Sequence, residues 1–112
     1  MHTVNLKNEI VGMISNAPRW DVVAYRGVGS IYEVTVEDGA MLTEVTINLY
    51  ATDSREELIK TWTPVVIPLT AFRWDIAPGD LVDFKPLIYH VTAIDQDGSL
   101  VFCGSFELIG GL

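Results

Sequence analysis

Two histidines and one cysteine are the most reactive side chains in this sequence, and their spacing decides which chemistry they could perform. His2 follows the first residue, and His90 lies in the stretch Ile88-Tyr89-His90-Val91. A metal site needs several ligands that converge on one point, and the sequence contains no His-x-x-x-His or Cys-x-x-Cys spacing. We therefore predict no metal site and no cofactor, and we interpret His90 as an ordinary strand histidine.

Cys103 is the one candidate nucleophile, and it would approach His90 if the strands that carry them paired. A catalytic cysteine needs a lowered thiol pKa and an oriented base. Cys103 stands between Phe102 and Gly104, with no basic residue near it in sequence. A structural cysteine is the better interpretation, and we predict that the chain is not an enzyme.

Two loop motifs suggest ligands at first sight. Asp95-Gln96-Asp97-Gly98 offers carboxylate oxygens to calcium, but a helix-loop-helix calcium site needs further oxygens and a distal glutamate. Gly27-Val28-Gly29 lacks the third glycine and the following helix of a phosphate-binding loop. We predict a plain hairpin turn at 95–98 and no phosphate site at 27–29.

Composition and charge limit the partners. The chain has 112 residues, a length that predicts one domain. Its formal net charge of -8 predicts that it does not wrap nucleic acid or bind anionic membranes. The acidic side chains either keep the protein soluble or line a channel through which DNA slides. No stretch reaches the length of a membrane span, and neither a signal peptide nor a disulfide is expected. These features favour a location in the cytosol, including the cytosol of a host cell.

The apolar spacing changes after the first 17 residues. Leu6, Ile10, Met13, Ile14 and Ala17 fall at helical spacing and predict an α-helix over 5–17 that ends before Pro18. From residue 21 onward short alternating segments dominate. We expect strands at the following positions: 21–28, 31–37, 42–50, 65–67, 72–76, 81–84, 87–94 and 99–108.

Turn residues connect these strands. Asp38-Gly39 predicts a hairpin between 31–37 and 42–50, and the prolines at 64 and 68 place 65–67 at a sheet edge. Residues 51–63 fit either a helix capped by Asp53 or the tip of a long hairpin, and the β-branched residues around Trp62 favour the hairpin. The fold class predicted is mainly β, a small antiparallel β-barrel or sandwich with one N-terminal α-helix.

Three tryptophans lie near predicted strand boundaries and form the candidate interaction site. Tryptophan is enriched at protein interfaces, although small β domains also use it in the core. Trp62 is the foremost candidate because it follows a charged, exposed stretch. The candidate interface consists of Trp62, Trp20, Trp74, Arg55 and Lys60.

The last third of the chain resembles the closing segment of tailed-phage neck proteins, which are head-tail connectors and head-closure (stopper) proteins. The residues that carry the resemblance form a proline-containing strand, a Pro-Gly-Asp turn, a strand with a Tyr-x-Val-x-x-Ile pattern, a turn and a last strand. They are Pro68–Phe72, Ala77–Val82, Ile88–Ile94 and Asp97-Gly98. The chain departs from the pattern at Lys85-Pro86-Leu87, where Asp-Gly is usual.

The resemblance implies a structural role in the virion, since this family has no catalytic residues. We expect a homo-oligomeric ring that contacts other virion proteins, either portal or connector proteins or tail subunits, and that is made in the host cytoplasm. The 51–60 stretch and the Glu37–Ala40 turn are its candidate channel loops. Two alternatives are a β-barrel module that presents Trp20, Trp62 or Tyr25 to a protein or ligand, and an enzyme that uses Cys103 and His90.

Overall fold

The computed structural model describes residues 1–7, 9–11, 14–37, 41–51 and 57–110, with the backbone alone for 9–11 and 14–16. Every regular element in this part of the chain is a strand. The strands are β1 (His2–Lys7), β2 (Glu9–Val11), β3 (Ile14–Asn16), β4 (Val22–Tyr25), β5 (Ser30–Glu37), β6 (Val45–Tyr50), β7 (Leu58–Trp62), β8 (Val65–Ile67), β9 (Ala71–Ile76), β10 (Ile88–Asp95) and β11 (Leu100–Ile109).

Two sheets form a sandwich. One has the order β1-β5-β9-β8 and the other the order β4-β11-β10-β6-β7, while β2 and β3 pair with each other. The longer strands alternate buried and more exposed residues, as in β9, where Phe72, Trp74 and Ile76 are buried and Arg73 and Asp75 are exposed. This two-residue period directs one face of each sheet to a shared core and leaves the other face to solvent. The prediction of a mainly β fold is confirmed.

The predicted helix over 5–17 is wrong, because β1, β2 and β3 occupy that segment. Val4 and Leu6 are two residues apart, and both pack against the core, as an extended strand requires. The β1 strand lies beside β5, with Val4 opposite Val34 and Leu6 opposite Val36. A helix of this length is only marginally stable by itself. The backbone hydrogen bonds between β1 and β5 therefore stabilise this segment more than the helix that its apolar spacing predicts.

The predicted hairpin between 31–37 and 42–50 is also wrong. The strands β5 and β6 belong to different sheets, and residues 38–40 of the predicted turn lie outside the described residues. Both strands alternate apolar and polar residues, so each one fits either a hairpin or two facing sheets. Each buries its apolar side in the same core from opposite directions, with Val34 and Ile47 both fully buried.

The sheets are mixed, whereas a purely antiparallel arrangement was expected. The N-terminal strand β1 runs parallel to β5, and β4 runs parallel to β11. The other ladders of the two main sheets are antiparallel, and β8 lies at an edge as its flanking prolines predict. The predicted strand over 81–84 is a series of turns.

The ambiguous region 51–63 contains a strand at its end. The alternative that made 58–62 a strand is confirmed by β7, while residues 52–56 lie outside the described residues. The turn at 95–98 is confirmed as the connection between β10 and β11, because the Asp95 carboxylate accepts hydrogen bonds from the Asp97 amide at 2.9 Å and the Ser99 amide at 3.0 Å. In the part of the chain that is described, no helix is long and apolar enough to span a membrane.

Candidate functional site

The tryptophans predicted from sequence meet in the core. The Trp74 ring is fully buried, and its centroid lies 5.3 Å from that of Trp62 and 5.9 Å from that of Trp20. Phe102 and Phe106 complete the cluster. Trp62 is 8% exposed and Trp20 is partly buried. The structure therefore places the rings of Trp62 and Trp74 where they stabilise the sandwich.

Asp80 links the two sheets, and it is the third residue of the Pro78-Gly79-Asp80 turn. Its Oδ2 accepts hydrogen bonds from the Trp62 indole at 3.1 Å and from the Ala77 amide at 2.8 Å. Lys60 contributes its ammonium, 3.7 Å from Asp80 Oδ1 and 5.7 Å from the Trp62 ring centroid. Trp62 is the last residue of β7, the edge strand of the five-stranded sheet, and Ala77 directly follows β9 of the four-stranded sheet. The Asp80 carboxylate therefore links the two sheets.

The surroundings of Asp80 favour its ionised form. Partial burial opposes ionisation, but the hydrogen bonds from Trp62 and Ala77 and the nearby Lys60 charge outweigh it and lower the pKa of Asp80 below its usual value. A group whose pKa is lower in the folded state stabilises the fold above its unfolded pKa, and this contribution is lost as the pH falls through the folded pKa.

Replacing Asp80 by asparagine is expected to lower the free energy of unfolding by about 1–2 kcal/mol at neutral pH, because charge-assisted hydrogen bonds become neutral ones. The loss should shrink as the pH falls through the folded pKa of Asp80. Urea titrations from neutral to acidic pH measure both effects. Asp83→Asn is the control, since Asp83 is exposed in the neighbouring turns. Equal losses in the two variants would contradict the assigned role.

A crevice lies where the chain crosses from β7 to β8. It has a volume of about 310 Å³, and it is lined by Thr61, Trp62, Thr63, Pro64, Val65, Arg73, Trp74 and Asp75. It therefore contains two of the predicted interface residues, and Lys60 lies next to it in sequence. Arg55, the fifth of the candidates, lies outside the described residues.

A second cavity lies on the outer face of the five-stranded sheet and brings His90 and Cys103 together. It has a volume of about 320 Å³, and its lining comprises Arg19, Tyr50, His90, Val91, Thr92, Cys103, Gly104 and Ser105. His90 lies opposite Ser105 and Thr92 lies opposite Cys103, which makes His90 and Cys103 diagonal neighbours on one face. The two side chains therefore lie near one another in a cavity that we call the sheet groove.

Asp21 anchors one side of the sheet groove. Its carboxylate accepts a hydrogen bond from the Ser105 amide at 2.9 Å and pairs with the Arg19 guanidinium at 3.0 Å. The Ser105 hydrogen bond, opposed by desolvation and reinforced by Arg19, lowers the pKa of Asp21 below its usual value. Both partners of the ion pair are well exposed, so this pair orients Arg19 more than it stabilises the fold.

Exposed apolar side chains form one cluster on the outer face of the five-stranded sheet. Val23, Tyr25 and Ile88 are 46%, 51% and 54% exposed. The strand register places Val23, Glu107 and Ile88 in one row and Tyr25 beside Ile109 in the next. We call Val23, Tyr25, Ile88, Ile109 and Glu107 together the β4 face.

The outer face of the four-stranded sheet carries a second cluster. Val65 and Ile67 of the edge strand β8 are 68% and 39% exposed. Their partners on β9 are Arg73 and Ala71, whose side chains lie on the same face. We call Val65, Ile67, Ala71 and Arg73 the β8 face, and it lies on the opposite side of the sandwich from the β4 face.

These two faces lie outside the candidate interface that the tryptophans predict, although the sequence contains a signal for each. In Val22-Val23-Ala24-Tyr25 and in Val65-Val66-Ile67 every residue is apolar or aromatic. A strand that lies on the surface of a sandwich can bury only alternate residues. Consecutive apolar residues in such a strand therefore leave apolar side chains exposed, and surface clusters of them mark interaction sites.

Comparisons with known proteins identify no family for this chain. No family model matches it, and neither does any curated protein. Among solved structures, the extracellular domain of mouse leukocyte-associated immunoglobulin-like receptor 1, described as a strand-swapped dimer, has a TM-score of 0.46 and 10% identity, over 92% of this chain and 93% of the other. The fibronectin(III)-like modules of Clostridium thermocellum CbhA have a TM-score of 0.42 and 13% identity, over 96% and 99%.

Proposed function

We propose that the chain is a non-enzymatic structural subunit of a tailed-phage virion, which forms a homo-oligomeric ring at the head-tail junction or in the tail. The observation that carries the assembly role is the pair of exposed apolar faces on opposite sides of the sandwich. Monomeric proteins rarely expose large contiguous apolar areas. Two such faces provide a subunit with a separate contact for a neighbour on each side.

The phage context rests on the closing segment of the chain. Its Pro-Gly-Asp turn supplies Asp80, which holds the two sheets together through Trp62 and Ala77. Its last two strands, β10 and β11, lie in the middle of the five-stranded sheet. The segment that carries the resemblance therefore supplies two inner strands of one sheet and a link between the sheets. The partners of the chain would be portal, connector or tail proteins of the same virion.

The native mass across a wide concentration range tests the assembly role. Light scattering is expected to reveal a closed oligomer of one size, and electron microscopy should then show rings. A monomer at every concentration would overturn the homo-oligomeric ring. For the virion assignment, mass spectrometry of purified particles of the encoding phage should detect this chain, and its absence from the particles would overturn that part.

A second function, the binding of a small polar ligand, is favoured by the sheet groove. The groove combines the Arg19 guanidinium with the His90 imidazole and the hydroxyls of Tyr50 and Thr92. A thermal shift with a polar compound that is lost in His90→Ala would support this function. Should a reaction be found, its survival in Cys103→Ala would exclude a cysteine nucleophile.

A further inference from the structure

The edge of β9 is only partly covered by β8. In an antiparallel ladder, successive residues direct their N–H and C=O groups alternately to one neighbouring strand and to the other. The Val36 amide on β5 donates a hydrogen bond to the Thr70 carbonyl at 2.7 Å, and the same register continues along β9. Ala71, Arg73 and Asp75 therefore direct their backbone groups away from β5 and toward the side of β8.

Asp75 is the position where this edge stays open. On one side of it, Arg73 pairs with Val65, the first residue of β8, and the chain before Val65 crosses to β7. On the other side, the Ala77 amide donates to the Asp80 carboxylate at 2.8 Å, and the Ala77 carbonyl accepts from the Asp80 amide at 3.0 Å. Among the described residues, no backbone hydrogen bond reaches the N–H and C=O of Asp75 from this side.

The crevice where the chain crosses from β7 to β8 borders this open position. Asp75 is one of its lining residues, and its volume is about 310 Å³. Trp62, Pro64 and Val65 supply apolar parts of its wall. Trp74 belongs to the wall as well, and its buried indole nitrogen has no hydrogen-bond acceptor among the described residues. The crevice thus combines apolar side chains with an unpaired backbone donor and an unpaired backbone acceptor.

We propose that this crevice binds a short extended peptide segment of a partner protein, whose main chain pairs with the N–H and C=O of Asp75. An extended residue directs one acceptor and one donor to the same side, which is the arrangement that complements Asp75 in an antiparallel pair. An anion would satisfy only the N–H, and a cation would satisfy only the C=O. Because the positions on both sides of Asp75 are occupied, the segment pairs at one residue and its side chains contact the crevice wall.

A peptide site of this kind goes beyond the proposed assembly role and does not depend on it. Unpaired N–H and C=O groups at a sheet edge are a general template for a further extended chain. At β8 itself the flanking prolines at 64 and 68 disfavour such pairing, since a proline cannot donate to a ladder. The crevice at Asp75 therefore offers a partner chain a place that the neighbouring edge strand does not.

Titration of the wild-type protein with the blocked peptide acetyl-Thr-Val-Thr-amide tests the site by NMR. Recognition of a main chain needs no particular side chain, so this β-forming peptide is a sufficient probe. The signals of the Asp75 amide and the Trp74 indole N–H are expected to shift, with a dissociation constant of about 1 mM for one pair of main-chain hydrogen bonds. The same peptide with N-methylated backbone amides should bind about fivefold more weakly, because it lacks the donors.

Two substitutions at one position separate the main chain from the side chain. Asp75→Pro removes the N–H and should weaken binding by about fivefold or more, while edge strands accept a proline whose N–H would have no partner. Asp75→Ala keeps the N–H and should bind the peptide as the wild type does. Circular dichroism verifies that both variants are folded.

Four results would overturn the peptide site. They are an Asp75 amide signal that does not shift at peptide concentrations well above the expected dissociation constant, equal binding of the methylated and unmethylated peptides, equal binding by Asp75→Pro and Asp75→Ala, and unfolding of Asp75→Pro alone. The last result would show that the Asp75 N–H already has a partner in the sheet. The native mass of the protein, which tests the ring, enters none of these comparisons, so the two proposals can fail separately.

Discussion

Replacing Trp74 by alanine is expected to lower the free energy of unfolding by about 3–5 kcal/mol. Its ring is fully buried and contacts the rings of Trp20, Trp62 and Tyr32. Alanine would leave a cavity at the point where both sheets supply aromatic side chains. Since small domains have a total stability of about 5–15 kcal/mol, the variant should unfold at much lower urea concentrations.

Trp74→Phe separates packing from hydrogen bonding. Among the described residues, the buried Trp74 indole nitrogen has no hydrogen-bond acceptor. Phenylalanine fills part of the space and removes this unsatisfied donor, so its cost should be smaller than that of alanine. Met41→Ala is the control, because the Met41 side chain is 63% exposed.

The same experiment distinguishes a core tryptophan from an interface tryptophan. A folded Trp74→Ala protein with wild-type stability and weaker self-association would show that Trp74 acts at an interface, and would contradict the core assignment. Loss of stability at concentrations where the protein is monomeric is the expected result, and urea denaturation followed by circular dichroism measures it.

The strands were predictable wherever apolar and polar residues alternate with a period of two and fit no helix. Phe72, Trp74 and Ile76 alternate with polar residues, and all three are buried in β9 as expected. The alternation of β5 and β6 is equally clear, but local spacing does not specify which strands pair. The pairing depends on contacts between residues far apart in sequence, such as Val91 with Leu49, and no turn motif determines them.

The N-terminal segment shows how tertiary contacts override local spacing. Leu6 fits both a helical stripe and a strand period, since it is four residues before Ile10 and two after Val4. The edge of β5 offers β1 a complete parallel ladder from His2 to Lys7. Backbone hydrogen bonds to an existing sheet are not visible in the spacing of side chains.

The candidate site was predictable in part. Residue type alone led to tryptophan, whereas burial decides whether a tryptophan faces the core or a partner, and burial depends on the whole fold. Trp62 is the foremost predicted interface residue, and its indole donates a hydrogen bond to Asp80 inside the domain; its role at an interface stays a prediction. Lys60 lies beside this pair at intermediate exposure, so its role at an interface stays a prediction.

Gly104 is the position where a single added carbon should do the most damage. Phe102 and Phe106, two residues before and after it on β11, point into the core. A β-carbon at position 104 would overlap the carbonyl oxygen of Trp20 and lie 2.6 Å from the carbonyl carbon. These are backbone atoms, which cannot rotate away as a flexible side chain can. The segment that contains Trp20 lies close to β11 because glycine leaves the space empty.

Replacing Gly104 by alanine is expected to cost about 3 kcal/mol or more, at the upper end of overpacking substitutions. Relief of the overlap requires the segment 18–21 to move away from β11. That movement would break the hydrogen bond from the Trp20 amide to the Cys103 carbonyl, now 2.9 Å, and would strain the bond from the Ser105 amide to Asp21. Differential scanning calorimetry and urea denaturation measure the loss.

Gly79→Ala is the matched control for this prediction. A β-carbon at Gly79 would meet nothing within 4 Å, so alanine there should change the stability by no more than about 0.5 kcal/mol. If Gly104→Ala were as stable as Gly79→Ala, the close approach of Trp20 to β11 would be wrong. A large loss at Gly104 alone would support the close approach of the Trp20 backbone to β11.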